Sequence, residues 1–181
     1  MIPRPAVFAL HRCTGAVLAV FICLHLVNHA LLAVDTAMAF AFMDAFRRIY
    51  RQPVVEALLL AAVAVQLFAG VSLARRGASL AVRLSGYYLL LFLLVHVGAV
   101  LWGRLEPGLD TDIRFAAAGL RTWPAAAFFV PYYVLAVVAV CCHVGLGVSR
   151  HLPASRLVGI ASTALGLLLG MVIVGSMMTM A

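Results

Sequence analysis

The amino-acid sequence predicts an all-α integral membrane protein with five transmembrane helices, and three observations predict it. Hydrophobic residues make up 66% of the chain and charged residues 10%, with a mean hydropathy of +1.13, whereas a soluble domain carries about 25% charged residues. Five apolar runs are each long enough to cross a hydrocarbon core of about 30 Å at about 1.5 Å per residue. A motif also occurs twice: Arg12-Cys13-Thr14-Gly15 precedes His25, and Arg83-Leu84-Ser85-Gly86 precedes His96 at the same spacing. A second echo follows each copy, Gln66-x-x-x-Gly70-Val71-Ser72 and then His143-x-x-x-Gly147-Val148-Ser149. The expected layout is a duplicated two-helix unit, helices 1-2 and 3-4, plus a fifth helix, in a single membrane domain over residues 1–181.

The first span is expected over residues 14–34. Its apolar run is too long for the core of a signal peptide, and it carries His25, Asn28 and His29. Asp44, Arg47, Arg48 and Arg51 then share one face of a helical wheel and Phe42, Phe46, Ile49 and Tyr50 the other, which describes an amphipathic helix on the outer surface. Pro53 stands where proline suits a helix start, and the second span is expected over 54–74. The short Gly77-Ala78-Ser79 connection makes the third span, 86–102, its close neighbour. A long loop over 103–124, with Pro107, Gly108 and an apolar stretch from Phe115 to Gly119, is expected to lie over the outer end of the bundle. The fourth and fifth spans are expected over 125–148 and 157–178, joined near His151 and Pro153. Gly166-x-x-x-Gly170 in the last gives a smooth face for helix packing or a flat ligand.

A net charge of +7 could suggest nucleic acid, but all thirteen basic residues are arginines scattered among the connections, so no nucleic acid is expected. Membrane topology accounts for them better. With the N-terminus cytoplasmic, the inner segments hold Arg4, Arg12, Arg75, Arg76, Arg83, Arg150 and Arg156 and no acid, while all six acids fall outside. Cys13, Cys23, Cys141 and Cys142 have no zinc or haem-attachment spacing and read as packing residues.

Ionisable groups inside a membrane are costly and mark function. His25 and His96 sit at nearly one depth, slightly outward of the centre of each span, and two neutral imidazoles on facing helices can clamp a haem b iron between them. The other reading is a pair of core histidines bonded to backbone carbonyls or to Asn28. His29, one turn beyond His25, is an alternative ligand or a contact for a haem propionate; a zinc site there lacks a carboxylate or cysteine. Toward the inner side the symmetry breaks, because His143 is matched by Gln66 and an amide is a poor iron ligand. Gln66 is then expected to bond His143, a quinone oxygen or a helix carbonyl. At the inner end of the first helix His11, Arg12 and Thr14 offer an imidazole, a cation and a hydroxyl suited to a quinone carbonyl, although snorkelling alone accounts for Arg12 equally well.

The segment Leu10-His11-Arg12-Cys13-Thr14-Gly15 resembles the His-Arg-x-Ser/Thr-Gly signature that opens the first helix of succinate dehydrogenase and fumarate reductase cytochrome b subunits. His143-Val144-x-x-Gly147, with Arg150-His151, looks like the haem-ligand helix of that family, and five helices in one chain are similar to its single-polypeptide di-haem anchors. The resemblance implies that His25 and His96 ligate an outer haem and that Gln66 and His143 stand at the inner haem position. It also implies quinone chemistry in the inner (cytoplasmic) membrane, with a flavoprotein and an iron–sulfur subunit as partners. The chain itself would be at most a non-catalytic or quinone-site subunit. Two positions depart from the family pattern: Gln66 replaces a histidine, and Phe8 replaces a serine of the related four-helix anchors. The alternative to an electron-carrying anchor is a haem-free scaffold of the same fold.

Overall fold

The computed structural model describes residues 4–74, 79–149 and 155–180, all helical or in short connections, with no strand among them. Arg75, Arg76, Gly77, Ala78, Arg150, His151 and Pro153 lie outside the described residues. Five helices are long and apolar enough to cross a membrane, so the chain is a multi-pass, all-α membrane protein. It divides into two compact units, Met1–Ala78 and Ser79–Ala181.

Unit 1 holds α1 (Arg4–Ala30), a 3₁₀ turn (Leu31–Ala33), α2 (Thr36–Tyr50) and α3 (Pro53–Ala74). Helix α1 starts at Arg4, well before the expected Thr14, because an apolar window finds the lipid-soluble part of a helix and not its end. Pro5 suits a first turn, and the backbone there satisfies itself whether lipid or water surrounds it. Helix α2 is capped by Asp35, whose carboxylate accepts from the Met38 N–H at 2.6 Å, and Arg47 and Arg48 complement the helix dipole in its last turn. Its buried face is set by Ala39 and Met43, with Phe46 and Tyr50 half-buried on the same stripe; Ile49, on the apolar side of the wheel, is 62% exposed. The i, i+4, i+7, i+11 progression from Ala39 puts Ile49 off the stripe. Helix α3 approaches α1 through the buried alanines Ala62 and Ala69. Glu56 lies in its first turn, where the dipole favours an acid.

Unit 2 holds α4 (Leu80–Gly103), α5 (Ile113–Leu120), α6 (Ala125–Ser149) and α7 (Ser155–Thr179). The long loop thus contains a helix of its own. Asp112 caps α5 by accepting from the Arg114 and Phe115 N–H groups at 2.7 and 3.2 Å, and Ile113, Ala117 and Leu120, each 1% exposed, bury its apolar stripe in the unit that holds α6 and α7. The Gly166/Gly170 face meets a helix: a Cβ at Gly166 would lie 2.8 Å from Cys141 Cβ and 3.0 Å from the Val137 oxygen, and one at Gly170 3.2 Å from the Val134 oxygen. Without side chains in the way, the backbones of α6 and α7 come close enough for dense packing, the main attraction between helices when lipid tails are as apolar as leucine. Outward-facing Val17, Val20, Leu91, Leu94, Leu165 and Leu168 are exposed, as a lipid-facing surface requires.

Candidate functional site

In unit 1 the motif in the N-terminal half of α1 receives a side chain from α3. The Gln66 Nε2 donates to the His11 carbonyl at 2.6 Å and to Thr14 Oγ1 at 2.9 Å, while the Thr14 hydroxyl donates back to the Leu10 carbonyl at 2.8 Å. Both amide hydrogens are therefore used. Gly15 makes this possible, since a Cβ there would stand 2.9 Å from the same nitrogen. A helix carbonyl, one of the partners expected for Gln66, is among those it meets. Arg12 is exposed and lies over the Phe8 ring, 5.8 Å from its centroid, a cation–π contact.

In unit 2 the corresponding motif of α4 receives His143 from α6. Buried Ser85 lies 2.8 Å from the Ala81 carbonyl, 3.2 Å from the Val82 carbonyl and 3.1 Å from His143 Nδ1. One hydroxyl hydrogen cannot serve all three contacts. With that hydrogen on the nearer carbonyl, Ser85 Oγ accepts from Nδ1–H, which assigns the histidine tautomer and leaves the lone pair on Nε2. Gly86 lets the ring lie over the helix, a Cβ there meeting Cε1 at 3.2 Å.

Further along each helix stands a phenylalanine–histidine stack. Phe21 and His25 in α1 have centroids 5.9 Å apart at 14°, and Phe92 and His96 in α4 have centroids 5.0 Å apart at 12°. His25 also meets His29 edge-on at 4.6 Å. The supports differ. Phe21 rests on Phe46 and Tyr50 of α2 at 5.5 and 5.4 Å, whereas Phe92 rests on Tyr132 of α6 at 5.0 Å. Sequence reasoning passed over Phe21 and Phe92, although both stand four residues before the histidine in each copy of the motif, a signal that was there to read. Asn28, one turn from His25, is only 4% exposed and makes no hydrogen bond among the described residues.

His25, His29, His96, His143 and Gln66 are all half-buried in apolar helices. Among the described residues no three of His, Cys, Asp and Glu gather into a group that could hold a metal ion. A structural zinc needs four protein ligands, so the His25/His29 pair does not make one. A haem takes imidazole donors from its protein, and His25 in unit 1 and His96 in unit 2 are each an imidazole within an apolar span. The amide nitrogen of Gln66, which stands where the motif of unit 2 has His143, is turned to His11 and Thr14. None of the four cysteines forms a disulfide, and Cys13 and Cys23 are exposed while Cys141 and Cys142 are half-buried. No family model, curated protein or solved structure matches the chain.

Proposed function

We propose that the chain is a membrane anchor of the succinate:quinone oxidoreductase type that binds one haem b through His25 and His96 and passes electrons between an iron–sulfur/flavoprotein partner and membrane quinone. It sits in the inner (cytoplasmic) membrane with its N-terminus in the cytoplasm. The observation that carries this reading is the recurrence of one stack, Phe21/His25 and Phe92/His96, beyond the same hydroxyl–glycine pair in two apolar spans. When bound, the haem supplies one-electron chemistry. The chain's residues hold and orient it. Phe21 and Phe92 fix the imidazole planes, the apolar spans exclude water, and Arg12 at the inner end is the exposed donor for a quinone carbonyl, with His11 and Thr14 beside it.

The test is a reduced-minus-oxidised spectrum of the purified protein. A b-type spectrum is expected, with His25→Ala and His96→Ala each abolishing most of it and His143→Ala retaining it. Full haem content in both ligand variants overturns the assignment.

A second reading, a haem-free scaffold of the same fold, is favoured by one observation: Gln66 and His143 are both engaged in interhelical hydrogen bonds within their own units. A colourless preparation from haem-replete cells decides for it.

A further inference from the structure

Ser85, Tyr88, Phe92 and His96 follow one another at intervals of three, four and four residues, which places them along one face of α4. Two hydrogen bonds tie that face to α6. The Tyr88 hydroxyl donates to the Tyr132 carbonyl at 2.8 Å, and the Tyr132 hydroxyl donates to the Phe92 carbonyl at 3.4 Å. Within an apolar span a phenol hydroxyl without a partner costs free energy, so both bonds hold the two helices in register. Tyr132 is 7% exposed, and its ring is caught between Phe92 at 5.0 Å and Phe128 at 5.4 Å.

We propose that Tyr132 is a positioning residue for His96, acting through Phe92. The torsion that turns a histidine ring is broad and weakly two-fold, so the plane of the imidazole is set by what lies against it. Against His96 lies the nearly parallel Phe92 ring, and against Phe92 lies Tyr132. Pinned through its own carbonyl by Tyr88, Tyr132 holds the second ring and so the first. The inference rests on His96 being a haem ligand for its consequence, a fixed axial plane, but the clamp itself can be measured with or without haem.

The experiment compares the full chain in detergent with Tyr132→Leu, Tyr132→Phe, Phe92→Leu and Tyr133→Leu. Tyr133 serves as a control of similar size whose ring meets Phe92 only at 6.3 Å. The first readout is the rate at which diethyl pyrocarbonate modifies His96, followed by peptide mass mapping with His25 as the internal reference. Tyr132→Leu is expected to raise that rate roughly fivefold, the change corresponding to about 1 kcal/mol of lost restraint. Tyr132→Phe, which keeps the ring, should return it most of the way, and Tyr133→Leu should leave it unchanged. If Tyr132→Leu does not fold, Phe92→Leu reports on the same clamp and must show the same rise. The second readout is the electron paramagnetic resonance of oxidised, haem-loaded protein, whose g-values respond to the angle of the axial imidazole planes. They should shift in Tyr132→Leu at unchanged haem content. An unchanged modification rate in Tyr132→Leu, or an equal rise in Tyr133→Leu, overturns the clamp and leaves the haem reading standing. A colourless wild type removes the haem reading, and the modification rates still decide the clamp.

Discussion

In unit 1 the side chain that leans on the Thr14-Gly15 pair is an amide, Gln66; in unit 2 the one that leans on Ser85-Gly86 is an imidazole, His143. The residue pattern is alike, with a hydroxyl, a glycine and a polar group from the following span. The chemistry is not. The amide spends its two hydrogens on α1, while the imidazole meets the Ser85 hydroxyl through Nδ1. A similar difference recurs at the stacks, where the short amphipathic α2 supports Phe21 and the spanning α6 supports Phe92. A hydroxyl–glycine pair thus admits either polar group from the neighbouring helix, because the glycine leaves room for it and the hydroxyl gives it a partner.

The comparison can be broken most strongly at the α6/α7 seam, for which unit 1 has no counterpart. Gly166→Leu should push these helices apart, and overpacking of this kind costs about 1–3 kcal/mol or more. Denaturant unfolding in detergent should show the loss in unit 2, and protection of unit 1 from proteolysis should persist. Asn28 tests the opposite sign. It is buried without a hydrogen bond, whereas the buried polar residues of unit 2, Ser85 and Ser149, are bonded. Asn28→Leu should therefore stabilise unit 1 by roughly 1–2 kcal/mol, and destabilisation would show that a bound donor occupies its oxygen.

Gln66→His sharpens the comparison directly. It gives unit 1 the ligand type that unit 2 already has, and under the haem reading it should raise the haem-to-protein ratio measured by pyridine haemochrome. An unchanged ratio would mean that the inner position lacks more than a ligand. The smallest effect is expected from the hydroxyls. Thr14→Ala leaves Gln66 its bond to the His11 carbonyl and should cost only about 0.6 kcal/mol, the average for such bonds between membrane helices. Ser85→Ala should cost more than Thr14→Ala in the same unfolding assay, since it strips His143 of the partner that orients it.

The five spans were legible because length and hydropathy are local quantities, and α2 because its polar stripe repeats every turn. The start of α1 was not, since a helix continues beyond the lipid without any change in its hydrogen bonding. Which apolar residues of α2 pack within unit 1 was not legible either, because a short wheel offers a broad apolar face and only the docking of Ala39 and Met43 selects the stripe that is covered. At the candidate site the histidines and Gln66 stood out by their cost in a membrane and by the repeat. Their partners did not.

Composition and hydropathy by themselves determined that this chain spans a membrane five times, because that follows from the energetics of single helices in lipid, and the order of residues alone showed a polar motif written twice. Tertiary structure alone decided that Gln66 turns to His11 and Thr14, that Ser85 takes Nδ1 of His143, and that Tyr132 backs the Phe92/His96 stack. Those choices depend on which face of one helix meets which face of another, and that is settled by the fit of side chains far apart in the chain.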